Sequence, residues 1–165
     1  MSNDHVTWRP GATRRVVIGL DAEGRSEVIV DDITPGASAS AAYPGVESAT
    51  VWKEPLRPDL RSREDQAAVY REVSVPVDGT RFYTVSIGPG VRTTMHATPT
   101  IEYHVVVEGT VTCLLDGDDV VVSAGDVLVM RAVSHGWYNH GDVPFVSAAV
   151  MLDASSSFPV PGHGG

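Results

Sequence analysis

Met95-His96-Ala97-Thr98-Pro99-Thr100-Ile101-Glu102-Tyr103-His104-Val105-Val106-Val107-Glu108-Gly109 is the stretch on which the reading of this 165-residue chain turns. After Pro99 it becomes β-rich and stops at a Glu-Gly pair, so 102–108 reads as a strand closed by a turn. Residues two apart on a strand share a face, which sets the side chains of Glu102 and His104 side by side with Cα atoms about 6.6 Å apart. Outward from this stretch the same pattern repeats. Runs at 81–87, 110–115, 120–123, 127–130 and 145–152 recur at intervals of about ten residues and end in turn residues such as Gly88-Pro89-Gly90 and Ala124-Gly125-Asp126. Many short strands with no convincing helix between them predict an all-β fold, a single antiparallel β-barrel or jelly roll, and not βαβ units.

The first 75 residues are more irregular, rich in Pro, Gly, Ala and Ser, and are expected to belong to the same domain as an extension. Apolar runs at 16–20 and 28–30 flank a polar turn over 21–27 and predict a hairpin. Residues 34–45 read as an extended loop and 49–53 as a short strand. The helix candidate is 62–72, with Ser62 as its cap. The barrel itself is assigned to 76–153, and 154–165 is a Ser-, Pro- and Gly-rich tail expected to be disordered. There is no internal repeat, so the sequence describes one barrel.

Composition narrows the function. The chain is 42% hydrophobic and 20% charged, ordinary for a globular domain, and carries a net charge of −9. That acidity argues against nucleic acid, which needs clustered Lys and Arg. The pair Arg14-Arg15 reads as a solvated strand end. No apolar run approaches the roughly 20 residues of a membrane span, and the first residues resemble no secretion signal, so a cytoplasmic protein is expected. Cys113 is the single cysteine and is expected to be a small buried side chain.

The chemistry is carried by a few residues. His135, Trp137 and Asn139 alternate as Glu102 and His104 do. If their two strands face each other, His96, Glu102, His104 and His135 converge, a set suited to zinc, iron, manganese, nickel or copper and not to calcium. Against this stands the ordinary reading of a strand histidine as a hydrogen-bonded core or surface residue. Phe82, Tyr83, Met95, Trp137 and Met151 are candidates for the pocket wall, and alternation does not decide between Phe82 and Tyr83. Arg131 is either a clamp for a substrate carboxylate or a rim ion pair. Tyr103, Tyr138 and His140 should face away, and His5 and His163 lie near the termini as spectators.

The stretch from Gly90 to Asn139 resembles the two motifs of the cupin superfamily. Gly90, His96, Glu102 and Gly109 match the first, Gly-x5-His-x-His-x(3,4)-Glu-x6-Gly. Gly125-Asp126, His135 and Asn139 match the second. The run 95–103 with Trp137-Tyr138-Asn139 is similar to the small bacterial monocupins. The resemblance implies a cupin barrel holding one divalent transition metal ion on three histidines and a glutamate. Two departures stand out: the second histidine of the first motif is Thr98, and the Pro-x-Gly of the second is Arg131-Ala132-Val133. Either His104 substitutes as a ligand, giving His96, Glu102, His104 and His135, or it is a substrate-facing acid or base. With Glu102, His104 and Tyr83 as proton-moving groups and Trp137, Asn139, Arg131, Phe82 and Met95 as substrate contacts, the resemblance implies a metal-dependent lyase, isomerase or cyclase. Its substrate would be a small oxygenated acid or polyketide-like metabolite. A metal dioxygenase and a non-catalytic small-molecule binder are the alternatives. A homodimer is expected.

Overall fold

The structure, a computed structural model, describes residues 8–69 and 74–155. It is nearly all strand. The elements are β1 (Arg14–Leu20), β2 (Ser26–Ile33), β3 (Ser38–Ala39), β4 (Val46–Pro55), one helical turn α1 (Gln66–Val69), β5 (Gly79–Ile87), β6 (Thr100–Glu108), β7 (Thr110–Leu115), β8 (Val120–Ser123), β9 (Val127–Arg131), β10 (His135–Tyr138) and β11 (Phe145–Asp153). Six strands form one sheet in the order β3-β4-β5-β11-β6-β9, three form a second in the order β10-β7-β8, and β1-β2 is a separate hairpin. This is the expected jelly roll, built as two sheets enclosing a core. The tail from 156 onward, His5, His163 and residues 70–72 of the expected helix lie outside the described residues.

Strand β11 organises the large sheet because it pairs antiparallel with β5 on one side and β6 on the other. Its inward positions Phe145, Ser147, Ala149 and Met151 meet the inward positions of both neighbours. Met151 stands between Arg81 and Glu102, and Ala149 between Tyr83 and His104. A methyl side chain at Ala149 leaves room for the two rings that flank it. Phe145 packs with Ile87, Val106, Val111 and Val122 as the apolar end of the core. The turn from β6 to β7 needs Gly109, whose φ is +75° and whose added Cβ would sit 2.4 Å from the Pro144 carbonyl oxygen.

The N-terminal half is more integrated than its composition suggests. β4 pairs along its length with β5, so residues 46–55 are a strand of the large sheet itself. The expected short strand at 49–53 is thus longer at both ends. The helix is capped by Asp65 and not by Ser62: Asp65 Oδ1 accepts the backbone N–H of Ala67 at 3.0 Å and of Ala68 at 3.2 Å. The same carboxylate meets Arg15, which overturns the expectation of a solvated Arg14-Arg15 end. Arg14 is indeed exposed and pairs with Asp31 at 2.7 Å. Arg15 is buried, donating to Asp32 at 2.7 Å, to the Val51 carbonyl at 3.0 Å and to Asp65. One guanidinium therefore ties hairpin, sheet and helical turn together, because its planar fork serves several acceptors at once. Among the described residues no helix is long and apolar enough to cross a membrane.

Replacing Arg15 with Ala removes these bonds while its carboxylate partners remain partly hydrated; the expected loss is about 2 kcal/mol in urea unfolding. Arg15→Lys should recover less than half of it, since one ammonium cannot span three acceptors. A full recovery would show that charge alone matters there.

Candidate functional site

A cavity of about 260 Å³ lies between the sheets. Its polar end holds Arg81, Tyr83, Thr98, Glu102, His104 and Ser147, and its apolar end Val46, Val85, Ile87, Trp137 and Phe145. His96 and His135 line it as well. The sheet register explains the polar end: Arg81 and Tyr83 on β5, Ser147 and Met151 on β11, and Glu102 and His104 on β6 all face inward. His135 comes from the small sheet. Residues His96 and His135 exchange backbone hydrogen bonds, both 2.8 Å, so their rings lie on one face with centroids 4.5 Å apart.

Glu102 is the most heavily engaged group. The hydroxyls of Thr98 and Thr100 each lie 2.9 Å from its Oε1. Because these hydroxyls are also 2.8 Å from one another, two hydrogens serve three contacts. On the other oxygen, Oε2, Tyr83 Oη donates at 3.2 Å and His104 Nε2 lies at 3.2 Å. An ionised carboxylate only accepts, so His104 carries its proton on Nε2. Its Nδ1 faces the Ser147 hydroxyl at 3.1 Å. Burial alone would raise the Glu102 carboxyl, but the hydrogen bonds from His104, Thr98 and Thr100 outweigh it and hold it at about 2. For Tyr83 the same burial, joined by the nearby negative charge of Glu102, pushes the phenol far above its ordinary range.

The two remaining imidazoles are disposed differently. His135 Nδ1 lies 3.1 Å from the Val133 carbonyl, and His96 Nδ1 lies 3.3 Å from that of Thr94. A carbonyl oxygen cannot donate, so each Nδ1 carries a proton, and in the neutral ring Nε2 is the acceptor. Burial lowers the pKa of His135 and favours this neutral form. Trp137 contacts both sets, with its ring 5.8 Å from His104 and 5.6 Å from His135.

The four expected metal ligands thus share a cavity but fall into two pairs. Among the described residues no three His, Cys, Asp or Glu side chains are grouped so as to hold an ion. In donor chemistry the set suits a transition metal, and an imidazole anchored through Nδ1 to a carbonyl is the usual attitude of a ligand. In placement it does not fit: the Glu102 carboxylate already meets four donors, and His104 is one of them. His104 faces Glu102 inside the cavity wall.

Among the expected substrate contacts, Trp137 lines the cavity. The others stand elsewhere. Asn139 is fully buried beyond the end of β10, where its side-chain amide donates to the carbonyls of Ile87 and Val143 and accepts from Gly141; it staples a loop. Arg131 is exposed on the edge strand β9 and Phe82 lies on the outer face of β5, since the inward place falls to Tyr83. Met95 is exposed against a different hollow beside Leu114. Sequence reasoning missed Arg81, Ser147 and Tyr43. Alternation from Tyr83 and Met151 would have found the first two. Tyr43 had no local signal: it arrives on the turn before β4 and meets the hydroxyl of Thr94.

Residues 83–151 match the Cupin_2 family, the cupin domain. The chain is 27% identical over 150 residues to the cupin-domain-containing oxidoreductase fogC of Aspergillus ruber, spanning 87% of this chain and 74% of that protein. It is 37% identical over 87 residues to the phomopsin biosynthesis cluster protein D of Diaporthe leptostromiformis, covering 49% of this chain and less than half, 46%, of that one. In fold it is similar to the cupin domain of Schizosaccharomyces pombe Cnp3, with a TM-score of 0.55, 10% identity and coverage of 88% of this chain and 89% of that one.

Because the Glu102 carboxyl is depressed on folding, its contribution is present at neutral pH and lost as pH falls from about 4.5 toward 2, an effect of the order of 3 kcal/mol. Urea unfolding of wild type and Glu102→Gln at neutral and acidic pH should show the two stabilities converging as the pH drops. Parallel curves would contradict it.

Proposed function

From the cupin-domain match over residues 83–151, we propose that this chain is a cupin enzyme of small-molecule secondary metabolism that moves a proton on a small oxygenated substrate. Lyase, isomerase and cyclase reactions through an enol all fit this description. The observation that carries the reading is the division of the cavity into a locked anion and two free imidazole lone pairs. At neutral pH, Glu102 is a poor base because its donors stabilise the ionised form, and Tyr83 is a poor acid because burial and a neighbouring charge hold its proton. His135 is the available acceptor. In the step proposed, its Nε2 takes a proton from carbon next to a carbonyl, the C–H electrons become the C=C bond as the carbonyl π pair moves onto oxygen, and the same nitrogen returns the proton to that oxygen or to another carbon of the enolate. The nearby charge of Glu102 favours the imidazolium that forms transiently. His104, Thr98, Thr100 and Tyr83 fix that charge in place, and Trp137 and Phe145 keep the far end apolar. The biosynthesis cluster named for one relative supports the assignment to secondary metabolism.

Oxidative chemistry is the second reading, favoured by the name of fogC. It calls for one divalent redox ion, for which His96 and His135 are the available imidazoles, with Glu102 as a third ligand only after release from its threonines. A non-catalytic binder is the third. A single assay separates them: solvent deuterium exchange into small cyclic ketones, followed by NMR without oxygen and with EDTA. We expect exchange, reduced at least about 100-fold in His135→Ala. Turnover that requires oxygen and one bound ion per chain would replace this reading with the second, and no turnover under either condition would favour the third.

A homodimer is also proposed. On the outer face of the large sheet, Tyr103 pairs with Val129 and Val105 with Val127, all four exposed, and Phe82 continues the first row across Val150. Apolar area of this kind marks an association surface. Light scattering should return about twice the 17.5 kDa chain mass, and Val127→Lys with Val129→Lys should shift it toward one.

A further inference from the structure

Resting on the proton-transfer reading above, we propose that the cavity selects a flat, uncharged molecule presenting an enol or phenol hydroxyl to His96 and His135, and rejects carboxylates.

Three observations lead there. The first is the hydrogen inventory. The backbone carbonyls of Thr94 and Val133 fix both Nδ1 protons, so the two imidazoles offer acceptors. Of the nearby donors, Tyr83, Thr98, Thr100 and His104 are directed at Glu102. A ligand group set against these two rings must therefore bring its own hydrogen, and a hydroxyl does so.

The second is charge. Glu102 already places one anion in a desolvated wall. The guanidinium of Arg81, 4.3 Å from the Tyr83 ring centroid and 2.9 Å from the Thr50 hydroxyl, opposes it. With that pair balanced, a carboxylate would bring an extra negative charge up to the two imidazole acceptors with no hydrogen to give them, which is costly. A neutral hydroxyl adds none.

The third is shape. Trp137 and Phe145 stack with centroids 6.0 Å apart and planes inclined by 24°, giving the apolar end a flat wall. The volume of about 260 Å³ is just under the usual range of roughly 300–1,000 Å³ for ligand pockets, which suits one or two fused rings.

The test uses the full chain and three matched probes, 2-naphthol, 2-methoxynaphthalene and 2-naphthoic acid, titrated calorimetrically at neutral pH with and without EDTA. The naphthol should bind at least about tenfold more tightly than either of the others, in both buffers. His135→Leu should bring the naphthol-to-ether ratio close to one while the naphthoate stays disfavoured, and the wild-type ratios decide the matter if this variant fails to fold. Equal or tighter binding of the naphthoate or the ether, a preference abolished by EDTA, or binding of none of the three would overturn the proposal. Should the hydroxyl preference hold while solvent exchange is absent, the ligand class stands and only the enzymatic reading falls.

Discussion

A carboxylate without water must be met by donors, and the donors that meet Glu102 shape everything around it. Leaving such an anion unsatisfied inside a protein costs several kcal/mol, so the strands that surround it are under strong selection of register. Thr98 and Thr100 reach it from its own segment, His104 from two residues along the strand, and Tyr83 from β5 across the small side chain of Ala149. A slip of one residue in β5 would turn Tyr83 outward and bring Phe82 in, leaving the charge one donor short. The polar end of the cavity is in that sense a structural solution first.

That solution has chemical consequences. A carboxylate with four donors gives up its usefulness as a base and as a ligand, and becomes a fixed negative charge. His104, which the spacing alone offered equally as a ligand, is oriented by the charge and by Ser147. What remains uncommitted is the pair His96 and His135, joined by reciprocal backbone bonds between the segment before β6 and strand β10. Their anchored Nδ1 protons make them acceptors. The same attitude serves a base, a hydroxyl-binding site or an ion, and it is the commitment of Glu102 that tilts the balance toward the first two.

The N-terminal half belongs to this arrangement. β4 supplies Val46 and Ser48 to the cavity wall and Tyr43 precedes it, while Arg15 secures the hairpin against β4 and α1. Composition suggested an irregular extension there, because Pro, Gly and Ser obscure periodicity in precisely spaced but short segments. The pairing of β4 with β5 is long-range, and no local pattern announces it.

Much of the fold was legible in the residues themselves. Period-two alternation and turn residues depend on neighbours in the chain, so the strands read at 81–87, 102–108 and 110–115, the hairpin and the inward face of Glu102 and His104 were open to sequence reasoning. The motif spacing carried the resemblance to cupins, which the match over residues 83–151 repeats. Tertiary structure alone decided which expected ligands meet and which pair off, why Asn139 holds a loop, and why Arg131 and Phe82 look outward. Those outcomes depend on sheet order and on the direction of single hydrogen bonds between distant strands. Periodicity reports which side of a strand a residue takes; only the packed sheets determine what waits for it there.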